Sequence, residues 1–124
     1  MVTDQLYHPD DQYLPLDEVI RRIAPAFRRV HLDRARGDAG VREGYEQLLA
    51  VGAPNALREA QLAQLGTTVC ASVADNDGPD GWIEFVLTGE DLLIEYRLEA
   101  DRERLRPTVS KLAGLLGYQI NVWN

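Results

Sequence analysis

Cysteine, histidine and lysine are all scarce in this 124-residue chain, which has one Cys, two His and a single lysine, Lys111. Each scarcity excludes something. With Cys70 alone there is no internal disulfide framework and no cluster built on several thiolates, and the usage fits a reducing cytoplasm. A lone cysteine within a strand pattern reads as a small buried hydrophobe. A structural zinc site would need His8, His31, Cys70 and a carboxylate to converge, so no metal is expected. Long apolar runs are missing too, which argues against a membrane-spanning helix. Met1 is followed by Val2, Thr3, Asp4 and Gln5 instead of a basic and then apolar leader, so no secretory signal is expected. Glycine-rich phosphate loops, the Gly-x-Ser-x-Gly elbow and the His-Glu-x-x-His helix do not occur, and no cofactor is expected.

What is present is an ordinary apolar content, 45%, and a strong excess of acid: 20 Asp and Glu against 13 Lys and Arg, a formal net charge of -7. One domain of this length can bury a core without staples. The acidity opposes binding to nucleic acid or to an anionic membrane, both of which call for basic footprints. It is also uneven. Residues 75–101 hold nine carboxylates, Asp75, Asp77, Asp80, Glu84 and Glu95 among them, against Arg97 alone, a net of -8. Residues 21–42 hold seven arginines against Asp33 and Asp38, so the surface is expected to be electrically polarised.

Periodicity divides the chain. Residues 1–14 show no sustained period and read as an irregular lead-in; residues 15–124 read as a single α+β domain. Val19, Ile20, Ile23 and Phe27 repeat at helical spacing after Pro15, and Pro25 closes that helix. Val30–Asp33 is a short strand. Asp38 is the expected N-cap of a second helix ending at Gly52, and a thin third helix runs from Pro54 to Gly66. From Thr67 the period becomes two: Thr67–Ala74, Trp82–Leu87 and Leu92–Glu99 predict an antiparallel meander. A last helix over 104–116, capped by Gly117, leads to a final strand over 118–123. The fold class is therefore α+β, with a mostly antiparallel sheet of four to five strands and helices packed on one face.

With Gly89 and Glu90 at the turn, Ile83, Phe85, Leu87, Leu92, Ile94, Tyr96 and Leu98 share an inward face with Val69, Ala71 and Val73. The outward face then carries Thr68, Cys70, Ser72, Trp82, Glu84, Val86, Leu93, Glu95 and Arg97. This register sets Glu84 opposite Glu95 and Trp82 opposite Arg97, which would stack on the indole. The Asp75–Gly81 segment fails as an EF-hand, since the sixth position is Asp80 instead of glycine and the twelfth is Val86 instead of glutamate. Its residues suit a hairpin loop.

The functional expectation is a small acidic interaction domain that binds a basic protein through Trp82, Glu84, Glu95, Arg97, Asp75, Asp77 and Asp80, with Trp123 as a second aromatic anchor. An inhibitor or immunity-type protein against a secreted bacterial toxin is one example of that size and charge. Two alternatives remain open. One is a carboxylate-dependent hydrolase using Glu84 and Glu95, or the His31–Asp33 pair. The other is a homo-oligomer joined through Trp82, Val86 and Leu93, in which the partner is a second copy.

Overall fold

The computed structural model describes residues 2–123, excluding the side chain of Trp123. Ten elements follow in order: β1 (Val2–Tyr7), α1 (Leu16–Ile23), β2 (Arg29–Asp33), α2 (Arg34–Ala50), α3 (Asn55–Leu62), β3 (Val69–Ala74), β4 (Ile83–Leu87), β5 (Leu92–Tyr96), α4 (Glu99–Leu116) and β6 (Gln119–Trp123). The architecture is α+β. The strands form two three-stranded antiparallel sheets, ordered β5-β1-β6 and β2-β3-β4, where a single sheet of four to five strands was expected.

The larger correction lies at the start of the chain. Val2–Tyr7, expected to be irregular, is the central strand of its sheet, pairing Asp4 with Ile94 on one side and with Val122 on the other. Of the expected lead-in, only the stretch between β1 and α1 is irregular. Leu14 N–H donates to the Tyr118 hydroxyl there at 2.9 Å, and Tyr13 packs edge-on to the Tyr118 ring at 5.5 Å.

Helix boundaries follow local chemistry. Asp17 and Glu18 in the first turn of α1, and Arg21 and Arg22 in its last, complement the helix dipole. The α2 helix begins four residues before the predicted cap, because Asp33 at the end of β2 accepts from Arg36 N–H at 2.8 Å. Asp38, expected in that role, instead accepts from Gly66 N–H at 2.8 Å and ties the end of the α3 segment back to α2. The α4 helix starts at Glu99, well before Pro107. Pro107 lies on its exposed side. Gly117 closes it with φ of 71°, and Tyr118 N–H donates to the Ala113 carbonyl at 2.9 Å, as a Schellman ending requires.

The period-two reading of the meander places the core correctly. Ile83, Phe85, Leu87, Leu92, Ile94 and Tyr96 are buried with Val69, Ala71 and Val73, against Val19 and Ile23 of α1 and Leu105, Val109, Leu112 and Leu116 of α4. Two residues depart from it. Leu98 is 63% exposed because it precedes α4 as its N-cap, and Thr68 is buried beneath α2. No ladder joins β4 to β5 among the described residues. Two features oppose one. Pairing would set Glu84 against Glu95, and Asp91 in the connecting turn accepts a 2.5 Å hydrogen bond from Gln5 of β1.

Candidate functional site

Outward-facing residues of β3, β4 and β5 border an open groove of about 540 Å³. Its walls come from four parts of the chain. Arg36 stands on α2; Cys70 and Ser72 on β3; Glu84 and Val86 on β4; Asp91, Leu93 and Glu95 follow from the β4–β5 turn into β5. Strand alternation puts these side chains outward while their neighbours fill the core. Val86 and Leu93 are 49% and 44% exposed, so the groove has an apolar section beside its carboxylates.

Glu84 and Glu95 therefore meet at one groove without pairing in one ladder. Neither forms an ion pair or a side-chain hydrogen bond among the described residues. The other candidates have intramolecular work. Asp75 binds Lys111 at 2.9 Å, and Asp77 binds Arg28 at 2.7 Å. Asp80 receives Arg104 on its backbone carbonyl. Arg29 donates to the carbonyls of Asn76 and Gly78 at 2.9 and 2.8 Å, and its guanidinium lies 4.2 Å from the centre of the Trp82 ring. The cation over Trp82 is thus Arg29, where Arg97 was expected; Arg97 is exposed. The loop that looked like free acid is held down by four cations from β2, α4 and the segment before β2. The side chain of Trp123 lies outside the described residues.

The β2–β3–β4 register sets His31, Ser72 and Glu84 in one row, and Asp33, Cys70 and Val86 in the next. Facing residues sit about 5 Å apart at Cα. No hydrogen bond joins His31, Ser72 and Glu84, so no base is seated against the Ser72 hydroxyl as nucleophile activation requires. Asp33 is committed to capping α2. His8 Nδ1 accepts from the backbone N–H groups of Asp10 and Gln12. Among the described residues no group of three or more His, Cys, Asp or Glu is placed to hold a metal ion. No described helix is long and apolar enough to cross a membrane.

A second polar cluster, missed in the sequence, is buried. Asp4 of β1 is wholly buried and lies 3.3 Å from both Arg102 Nε and Arg106 Nη2. The Tyr96 hydroxyl donates to Asp4 Oδ2 at 3.0 Å. Arg102, itself 4% exposed, also reaches Glu99 at 3.1 Å and the Thr3 carbonyl at 3.2 Å. Burial, and then the Asp4 charge and hydrogen bond, push the Tyr96 phenol well above its ordinary range. This cluster joins β1, β5 and α4 and offers no opening to a ligand. The groove also gains two residues the sequence reading did not single out, Arg36 and Asp91. Asp91 sits in the β4–β5 turn, next to a strand already read as outward-facing acid, so its position was within reach.

Compared with protein-family models, with curated proteins and with solved structures, the chain matches none.

Proposed function

We propose that this chain is a protein-interaction domain that binds a basic partner through the groove bordered by β3, β4 and β5. One observation carries the reading: Glu84 and Glu95 border an open groove with no cation bound to either among the described residues, beside exposed Val86 and Leu93. Asp75 and Asp77 of the neighbouring loop, by contrast, are paired within the chain. Uncompensated charge beside apolar area favours a partner of opposite sign and speeds its encounter. An inhibitor or immunity-type role belongs to the same reading, and a half-buried free thiol on the groove wall accords with a reducing, cytoplasmic site of action.

The hydrolase reading lacks the geometry that would carry it. Glu84 and Glu95 are exposed on an open surface, and no enclosed cleft holds a substrate between them. The test is affinity capture on immobilised wild type and on the Glu84→Gln, Glu95→Gln double variant, with eluates compared at low and physiological salt. The reading requires a basic protein whose recovery falls as salt rises and falls again in the double variant. Recovery insensitive to both changes overturns it. A second copy as the partner would appear as a concentration-dependent dimer in sedimentation.

A further inference from the structure

We infer that β6 is a self-association edge, along which a second copy of this chain lays its own β6 antiparallel and joins two three-stranded sheets into one of six strands. The inference is independent of the groove and of its partner. Of the four strands that end a sheet, β4 and β5 lie against each other, which leaves β2 and β6 as outer edges. Among the described residues β6 pairs with β1 on one side and with no strand on the other, and no turn or loop backbone bonds to residues 119–122. Such a row of N–H and C=O groups is a template for another strand unless charge or proline blunts it. The β2 edge, RVHLD, carries Arg29 at one end and Asp33 at the other, where it passes straight into α2. The β6 edge, QINVW, has no charge and no proline, in a chain of net charge -7.

A second copy is selected over a foreign strand because QINVW complements itself. Antiparallel pairing centred on Asn121 sets Asn121 opposite Asn121 and Ile120 opposite Val122. Every residue of the strand then faces a partner, whichever alternate set of backbone groups points outward. Ile120 is half-buried and Val122 exposed, on the face they share with Leu6 and Asp4 of β1, so the aliphatic pairs of the two copies cover each other. On the opposite face the Tyr7 hydroxyl donates to Gln119 at 3.1 Å, and Asn121 Nδ2 donates to Gln5 at 3.3 Å. Two acidic molecules can therefore meet along this neutral row without setting carboxylate against carboxylate.

The test is sedimentation equilibrium of the full chain from micromolar to millimolar concentration. Wild type is expected to form a dimer that tightens as salt rises, because screening relieves repulsion between two bodies of charge -7 while the neutral seam loses nothing. Asn121→Lys and Asn121→Glu each put like charges face to face and should weaken the dimer about fivefold or more. An equimolar mixture of the two variants should restore it, since the facing charges are then opposite. Asn121 is exposed, so both variants are expected to stay folded by circular dichroism. Independently of them, the outward amides of β6 should exchange hydrogen more slowly as wild type passes from monomer to dimer. A wild type that stays monomeric overturns the inference, as does a dimer that neither substitution weakens. Loss in both variants without recovery on mixing overturns the self-facing edge. A dimer abolished by Glu84→Gln, Glu95→Gln would place the contact at the groove and overturn it equally.

Discussion

Asp4 is the residue on which the sheet around β1 turns. A buried carboxylate loses its hydration, and here two arginines and a phenol replace it. Removing Asp4 takes the wholly buried counter-charge from Arg102 and Arg106, so Asp4→Ala is expected to cost about 3–5 kcal/mol. Urea unfolding should show it as a lower midpoint at similar slope. Tyr96→Phe takes away one donor to Asp4 and should cost about 1–3 kcal/mol. The phenol also sets an alkaline limit. Its folded pKa lies above its unfolded one, so its contribution is whole below about pH 10 and is lost as pH rises further. The Tyr96 signal is therefore expected to remain un-ionised past pH 10 in the native state, with tyrosinate absorbance from it appearing together with unfolding. Glu18 has the opposite sign. Hydrogen bonds from Arg21 and then Arg22 hold its carboxyl down to about 2. The stability it lends is present above its ordinary range, near 4.5, and disappears as pH falls towards 2. Carbonyl NMR should find its midpoint near 2, returning towards 4.5 in the Arg21→Ala, Arg22→Ala variant.

Among the elements, α2 shows how one missing side chain sets a packing distance. A Cβ on Gly37 would lie 2.1 Å from the Thr68 carbonyl oxygen, so only glycine lets the helix approach the start of β3. Gly40, one turn along, has nothing within 4 Å of that position. Gly37→Ala is expected to lower the melting temperature by displacing α2. Gly40→Ala should leave it unchanged or raise it through a gain of up to about 1 kcal/mol in helix propensity. Thermal unfolding of the two variants side by side checks the contrast. The same scale explains what could be read from sequence. In β3, β4 and β5 the inward residues are apolar without exception, so alternation revealed both the strands and their buried face. In β1 the inward positions are Val2, Asp4 and Leu6, and a carboxylate in the middle erases the signal. Its burial depends on Arg102 and Arg106, about a hundred residues away, which no local pattern displays. The break between β4 and β5 was hidden for a similar reason, since Gln5 and Asp91 meet only in the fold. Glu84 and Glu95 were legible as outward acids, but not the groove they border.

Across the whole molecule, the net charge of -7 proves to be less diffuse than composition implies. Arginines before and within β2, together with Arg104 and Lys111 of α4, clamp the 75–81 loop, so the basic and acidic regions of the sequence partly cancel against each other. At the groove, Glu84 and Glu95 stand exposed and in no ion pair among the described residues. Surface carboxylates that bind no cation add little to stability, and neutralising them relieves repulsion. The Glu84→Gln, Glu95→Gln variant should therefore unfold within about 0.5 kcal/mol of wild type, or slightly above it, even as it loses affinity for a basic partner. Stability retained while binding is lost would separate a binding surface from a structural one. Cys70 supplies a further readout without any substitution. Its thiol lies half-buried on the groove wall, one row from Glu84, and is the chain's only cysteine. A disulfide reagent such as dithionitrobenzoate should modify it at a measurable rate in the free chain. Saturation with the partner should slow that reaction severalfold, because an occupant of the groove covers the sulfur. The control is the same titration in the urea-unfolded chain, where the thiol reacts at full rate whatever is added. A partner that binds tightly yet leaves the native Cys70 rate unchanged is docked elsewhere on the molecule, and the groove then has no part in recognising it.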